Sequence, residues 1–379
     1  MALTDFPDDR AADGAGRLQL RDITAEARRL AAWDGHERIV LGTDTGRGLR
    51  AIVAIHDSRL GPALGGTRVW PHPTLEAALT DALRLSRGMT YKAAIAGVPF
   101  GGGKAVIMAD PARGKTPAML DAYAEMLAQL QDSYVTAEDV GLTLADADYL
   151  KARTPNVVGT TAGGSGNPSP VTAHGVFLGL CAAVRHRLQR GDLSGLRVAV
   201  QGLGAVGGAL CERLHAAGAE LVVADIDPAR TRAVATRLGA RAADPQTVLS
   251  AAVDVAAPCA LGAVLSRATI PALRAKVVAG AANNQLAERD DAAALRERGI
   301  LYAPDFVLNA GGLINVAAEL APGGCDRAAV LERLATIPQV LSEIFRRAER
   351  TGRPTNRIAH AMAEERLRAA APRTARRGA

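Results

Sequence analysis

Apolar residues follow two rhythms along this chain, and a break between them divides it. The run Leu49-Arg50-Ala51-Ile52-Val53-Ala54-Ile55-His56 is β-branched and nearly continuously apolar, the pattern of a buried strand. Gly46 and Gly48 precede it, so a hairpin with a strand near 38–41 is predicted. Further on, Leu75, Ala78, Leu79, Ala82 and Leu85 form a helical stripe, with Thr74 placed to cap it after Pro73. Met89 and Lys92 are predicted on or just past the end of that helix. A glycine-rich turn at 101–103 and a strand over 105–108 follow. Thr116-Pro117 opens another helix, to about residue 131.

The segment 159–170 (Gly-Thr-Thr-Ala-Gly-Gly-Ser-Gly-Asn-Pro-Ser-Pro) is the clearest change of composition and reads as a loop at a domain boundary. A long helix is predicted over 171–189. Short apolar runs at 197–200, 221–224, 253–257, 277–279 and 300–302 then suit a parallel sheet covered on both faces.

The first of these strands runs into Gly202-Leu203-Gly204-Ala205-Val206-Gly207 and a helix, and the second ends at Asp225-Ile226, the acid eighteen residues after Gly207. This is a dinucleotide fingerprint in its strand–turn–helix–strand setting. Gly202 permits the tight turn, Gly204 lets backbone approach a pyrophosphate, and Gly207 lets helix and strand pack closely. The helix N-terminus offers free amides to the phosphates. Asp225 can accept from the adenosine ribose and would repel a 2′-phosphate, so NAD is favoured over NADP, with Arg230 near enough to compete for such a phosphate. Loops at the carboxyl ends of such strands line the ligand crevice, which draws attention to Asn283-Asn284 and Asn309.

Composition narrows the picture further. With 379 residues, 48% hydrophobic and 22% charged, the chain suits a two-domain enzyme with a sizeable core. Aromatics at 3% argue against a base-stacking nucleic-acid surface. The net charge of +6 owes much to Arg366, Arg368, Arg373, Arg376 and Arg377, read as a solvated helix end and tail rather than a nucleic-acid arm. Cys181, Cys211, Cys259 and Cys325 are scattered, with no metal spacing and no disulfide framework. No apolar run reaches membrane-spanning length, and the N-terminus lacks a signal core, so a cytoplasmic enzyme without metal is expected. Cys259, His56 and His174 are read as structural.

The candidate chemistry lies in the first half. Lys92 (Met-Thr-Tyr-Lys) and Lys104 (Gly-Gly-Gly-Lys) each sit among small or apolar neighbours, and Asp139 follows in Thr136-Ala137-Glu138-Asp139-Val140-Gly141. A desolvated lysine can act as a base near neutral pH, while a second holds an anionic group.

Together with Gly61-Pro62-Ala63-Leu64-Gly65-Gly66-Thr67-Arg68, Asn167-Pro168-Ser169-Pro170-Val171-Thr172, the stretch from Ala257 to Gly262, Gly280 to Gln285, Tyr302-Ala303-Pro304-Asp305 and Asn309-Ala310-Gly311-Gly312, these segments resemble the glutamate/leucine/phenylalanine/valine dehydrogenases. The likeness covers about residues 30 to 370. It implies a two-domain α/β fold, an N-terminal α/β substrate domain plus a Rossmann NAD-binding domain. It divides the chain into a flexible extension (1–16), a substrate and oligomerisation domain (17–160), the Rossmann domain (161–335), C-terminal helices returning toward the first domain (336–370) and a flexible tail (371–379).

The implied reaction is reversible oxidative deamination of an L-amino acid with NAD, giving a 2-oxo acid, ammonia and NADH. Lys92 resembles the lysine that binds the α-carboxylate. Lys104 resembles the one that polarises the attacking water, and Asp139 the acid that moves protons at the substrate nitrogen. Thr172, Asn283 and Asn284 match positions near the nicotinamide or the substrate amine. Gly202, Gly204, Ala205, Val206, Gly207, Asp225, Ile226, Ala257 and Asn309 fall to the cofactor. The partners implied are the small-molecule substrates and further copies of the chain, with no nucleic acid and no membrane.

Leu64, Gly65, Met89, Ala137, Val158, Leu313 and Val316 are expected to line the side-chain pocket, with Asn284 near the amine. Glutamate enzymes of the family carry lysine and serine where Leu64 and Val316 stand, so a second carboxylate would be buried here without a partner. A hydrophobic side chain is therefore favoured. Ala137 resembles leucine enzymes, and Val158 and Leu313 resemble phenylalanine enzymes. Leucine and other branched-chain substrates lead, with phenylalanine the alternative.

Overall fold

The computed structural model describes residues 17–260 and 262–370. The N-terminal extension, Leu261 of the Ala257–Gly262 motif and the tail from 371 lie outside the described residues. Two compact units emerge. One holds the chain up to Asn167 with Glu319–Cys325 and the residues from Leu367; the other holds Pro168–Ala318 and Asp326–Arg366.

In the first unit the elements run β1 (Gln19–Asp22), α1 (Thr24–Ala27), β2 (Arg38–Asp44), β3 (Leu49–Asp57), β4 (Ala63–Leu64), β5 (Thr67–Val69), α2 (Leu75–Ala96), β6 (Gly101–Ile107), α3 (Pro117–Leu130), β7 (Tyr134–Val135) and α4 (Leu144–Lys151). The sheet order is β1-β2-β3-β6-β4-β7, with β5 also on β6. The predicted hairpin is present, since β2 and β3 pair antiparallel from Arg38↔Ile55 to Asp44↔Leu49. Both predicted helix caps are made: Thr74 accepts from the Ala77 N–H and Thr116 from the Met119 N–H.

Two expectations need correction here. The helix from Leu75 runs on to Ala96, so Met89 and Lys92 lie within it. The glycines at 101–103 form no turn; they are the first half of strand β6, fully buried. The reason is close approach. A Cβ at Gly102 would strike the Thr90 backbone of α2, and one at Gly103 would stand 2.7 Å from the Tyr134 ring. Glycine, usually a weak strand residue, is kept here because backbone and ring occupy the space of a side chain.

The second unit contains α5 (Ser169–Leu188), β8 (Arg197–Gln201), α6 (Ala205–Ala216), β9 (Glu220–Ala224), α7 (Pro228–Leu238), β10 (Arg241–Ala242), β11 (Val255–Pro258), β12 (Val277–Val278), α8 (Asp291–Glu297), β13 (Leu301–Tyr302), α9 (Asp305–Leu308), α10 (Gly311–Ala318), α11 (Arg327–Leu334), α12 (Ile337–Thr351) and α13 (Thr355–Ala369). Its sheet is parallel, in the order β10-β9-β8-β11-β12-β13. That is the doubly wound order, whose switch point lies between β8 and β11.

The C-terminal helices group with this second unit up to Arg366, and the residues from Leu367 group with the first. The cause is the apolar stripe of α12: Ile337, Leu341, Ile344, Phe345 and Ala348 are buried, and α12 packs on α5 and α9. The division at Asn167/Pro168 also falls a little after the expected residue 160. The loop before it groups with the first unit. There the Glu319 carboxylate accepts from the Gly159 and Ser165 N–H groups (2.8 and 2.7 Å) and from the Ser165 hydroxyl.

Candidate active site

In the first unit, strand register creates the site. β4 ends with Leu64 opposite Gly102, and β5 begins with Thr67 opposite Ala105. The sheet is therefore interrupted at Gly65-Gly66, beside Gly103 and Lys104 of β6. Neither glycine has room for a side chain. A Cβ at Gly65 would collide with the Gly103 carbonyl and lie 3.3 Å from Met89 Cγ; one at Gly66 would lie 2.9 Å from Asp139 Cβ. The glycine pair thus brings the Asp139 loop against the Lys104 strand.

The outcome is a direct ion pair. Lys104, 6% exposed, donates from Nζ to Asp139 Oδ2. Burial works against the charge of Asp139, but Lys104 alongside it, and Arg68 next, hold its carboxyl below the ordinary value. Lys92 is half-buried on α2. It stands three residues after Met89, hence on the same helix face, and Met89 lies over Gly65. This places Lys92 on the face of α2 turned to the same gap.

The pocket residues of this unit gather around that gap. The Gly65 N–H donates to the Val135 carbonyl, the Thr67 N–H to Ala137, and the Val158 N–H to Thr136. Leu64, Ala137 and Val158 are buried. Behind them lies a hydroxyl network: Thr67 Oγ1 is 2.5 Å from Tyr123 Oη and 2.6 Å from Thr136 Oγ1, while Tyr134 donates to the Gly65 carbonyl at 2.6 Å. These residues escaped the sequence reading. Only Thr67 and Thr136 stood inside recognisable motifs, and no pattern marks a hydroxyl that closes a network across strands.

In the second unit the glycine loop has the shape its sequence foretold. Gly202 has φ +94°, and a Cβ there would stand 2.7 Å from Ala260. Gly204 has nothing within 4 Å of its Cβ position, while a Cβ at Gly207 would strike the Gly202 carbonyl. Ala205 and Val206 open α6. Asp225 is buried, its carboxylate accepting from the Leu203 and Asp227 N–H groups at 2.7 and 2.9 Å, so the acid also shapes the loop. Ile226 beside it is 88% exposed. A groove of about 550 Å³ borders the loop, lined among others by Leu203, Gly204, Ala205, Val234 and Arg230. Arg230 Nε is 3.5 Å from Asp227.

Elsewhere in this unit, Ala257 pairs with Val200 in β11 and β8. Asn309 Nδ2 donates to the Ala281 carbonyl and to Asn283 Oδ1 (3.1 and 2.8 Å), and Asn309 Oδ1 is buried without a hydrogen-bond partner. Asn284 is exposed, with φ +51°. Thr172 lies in the first turn of α5 against Gly311 and Gly312 of α10, the helix that carries Leu313 and Val316 three residues apart. An open glycine loop, an exposed apolar residue beside a fixed acid and an orphaned amide oxygen together suit a bound dinucleotide. Burial pushes the Cys259 thiol up to about 12, which disfavours its thiolate form. Among the described residues no group of three or more His, Cys, Asp or Glu side chains is placed to hold a metal. No helix among them is long and apolar enough to cross a membrane.

Comparison with known proteins matches both units. Residues 36–156 fit the family model described as Glu/Leu/Phe/Val dehydrogenase, dimerisation domain, and residues 228–374 that of glutamate/leucine/phenylalanine/valine dehydrogenase. The chain is similar to a leucine dehydrogenase of Geobacillus stearothermophilus, 46% identical over 334 residues, 88% of this chain and 90% of that protein. It is 41% identical over 341 residues to a phenylalanine dehydrogenase of Bacillus thermotolerans, 88% of this chain and 89% of that protein. The crystal structure of L-tryptophan dehydrogenase from Nostoc punctiforme superposes with a TM-score of 0.78 at 45% identity, covering 89% of this chain and 96% of that one.

Proposed function

This chain belongs to the glutamate/leucine/phenylalanine/valine dehydrogenase family and is an amino acid dehydrogenase; on that premise we propose that it deaminates hydrophobic L-amino acids with NAD, branched-chain substrates first. The observation that carries the reading is the Lys104–Asp139 pair at the Gly65-Gly66 gap, its lysine buried and its carboxylate partly so, among apolar side chains.

Lys92 holds the substrate α-carboxylate by charge. Asp139, ionised, takes a proton from the substrate ammonium and frees the nitrogen lone pair. NAD, when bound, supplies the acceptor for the hydride that leaves the α-carbon. Lys104 then draws a proton from water as its oxygen bonds to the iminium carbon, the C=N electron pair returning to nitrogen. Asp139 returns its proton to that nitrogen and, emptied, takes the hydroxyl proton as the C–N bond breaks, so that ammonia departs and the C=O of the 2-oxo acid forms. Low exposure at Lys104 strengthens each of these electrostatic effects.

Leu64 and Val316, both buried and apolar, offer nothing to a second carboxylate, which argues against glutamate. Phenylalanine or tryptophan is the second reading, supported by Val158 and Leu313 and by the aromatic substrates of two of the relatives. NAD is favoured by the Asp225 carboxylate beside the loop, with Arg230 the residue that would receive a 2′-phosphate. The chain works as a homo-oligomer in the cytoplasm; light scattering of the purified protein checks the first of these.

The deciding experiment is an initial-rate panel of L-leucine, L-valine, L-isoleucine, L-phenylalanine, L-tryptophan and L-glutamate with NAD and with NADP. Highest kcat/KM with a branched-chain substrate and NAD is expected. No reduction with any of them in folded protein would reject the proposal. Lys104→Ala should lose turnover and keep NAD binding.

A further inference from the structure

Asp139 has a second cation beside it. Arg68, on β5, places Nε 3.7 Å from Asp139 Oδ2. That Nε is buried and makes no hydrogen bond. The far side of the guanidinium is already taken: Nη1 donates to both carboxylate oxygens of Asp81 on α2, at 3.2 and 3.0 Å. His72 Nε2 stands 3.3 Å from Asp81 Oδ2, not aligned for a hydrogen bond. Arg68 is therefore fixed from outside and turns its remaining buried N–H edge toward Asp139.

We propose that Arg68 is a positioning residue for the deamination. Its permanent charge keeps Asp139 ionised and aimed while Lys104 is uncharged. The inference rests on the reading of Asp139 as the proton carrier. Lys104 and Arg68 differ in one decisive property: a lysine can release its proton, whereas a guanidinium does not. To take a proton from water, Lys104 must first be neutral. At that moment the Lys104–Asp139 attraction is gone, and a partly buried carboxylate without a cation takes up a proton more readily. A protonated Asp139 cannot accept one from the substrate ammonium. Arg68 supplies the charge that does not vary.

The other groups around Asp139 do not fill this role. Glu138 is adjacent and adds negative charge. Its own carboxyl is raised by burial and then by Asp139. Tyr134 of β7 is a buried phenol, held neutral well above its ordinary range by that burial. Asp81 and His72 act on Asp139 from behind Arg68.

The test is the pH dependence of kcat/KM for L-leucine with NAD, in the full-length protein. In Arg68→Gln the acidic limb should move up by about one pH unit or more, roughly a tenfold loss of kcat/KM on that limb, since one cation near Asp139 is lost. Arg68→Lys keeps a charge and should restore most of the shift. Asp81→Asn keeps an acceptor for Arg68 but removes a negative charge, so its limb should move the other way, by about half a unit. It also carries the test if Arg68→Gln does not fold. A purely structural Arg68 would lower rates at every pH and leave the limb in place. That result, or both variants shifting in the same direction, overturns the inference. Asp139→Asn separates the two readings. If it keeps wild-type turnover, the assignment of Asp139 fails; if it is inactive while both limbs stay in place, only the role of Arg68 fails.

Discussion

A single methyl group at residue 66 would intrude between the strand of Lys104 and the loop of Asp139. Its carbon would stand 2.9 Å from Asp139 Cβ and 2.5 Å from the Glu138 carbonyl oxygen, tighter than ordinary contact allows. The loop must then retreat, and the ion pair lengthens. A misplacement of about 1 Å at a catalytic group costs on the order of 100-fold. Gly66→Ala should accordingly lower kcat by roughly that factor, with NAD affinity unchanged in a fluorescence titration; a variant with wild-type kcat would show that the glycine is not needed for the pair. At this scale the sequence is partly legible. Lys92 and Lys104 stand out because lysines rarely sit among small and apolar neighbours, and Asp139 and Arg68 lie inside recognisable motifs. Asp81, the partner of Arg68, does not stand out, because a charged residue on a helix looks the same whether it faces water or an arginine.

Between elements, the contact of α2 with the sheet decides both site and stability. The caps at Thr74 and Thr116 are legible because one side chain and one amide suffice. The strand character of Gly101–Gly103 is not, because it depends on what lies behind each glycine: the Asp57 and Gly61 carbonyls at Gly101, α2 at Gly102 and the Tyr134 ring at Gly103. A second tie between α2 and its surroundings is polar. His36 Nε2 is 3.0 Å from the Leu83 carbonyl, its Nδ1 is 3.3 Å from the Asp34 N–H, and the His56 ring stands edge-on to it at 4.7 Å. Burial, partly opposed by the bond to Leu83, lowers the His36 pKa to about 4. The neutral ring is the folded form, so the unfolded chain binds the extra proton. The contribution of His36 is complete above the unfolded pKa of about 6.5 and is lost as pH falls from there toward 4, about 3 kcal/mol in all. Denaturant titrations of wild type and His36→Asn should show a steeper decline of stability over that interval in the wild type. Parallel curves would remove His36 as the cause.

Across the whole molecule, the chemistry is split between two units that fold around separate sheets. The dinucleotide features all belong to Pro168–Ala318, while Lys92, Lys104 and Asp139 belong to the chain before Asn167. This division explains why the second unit was the easier half to read. A dinucleotide loop is local: strand, three glycines and helix lie within Arg197 to Ala216, and only Asp225 comes from the end of the next strand. The proposed substrate site of the first unit is assembled from β4, β6, α2 and the loop after β7, so it needs the register of the sheet, which no single segment encodes. The same division yields an expectation for ligand binding. With NAD alone, hydrogen exchange should slow at Gly202–Gly207, where free amides meet the phosphates, and around Asn309. The amides of β6, from Gly101 to Ile107, should exchange at their ligand-free rate. Equal slowing of β6 by NAD without substrate would mean that the dinucleotide orders the substrate unit directly. The separation of roles drawn here would then fail.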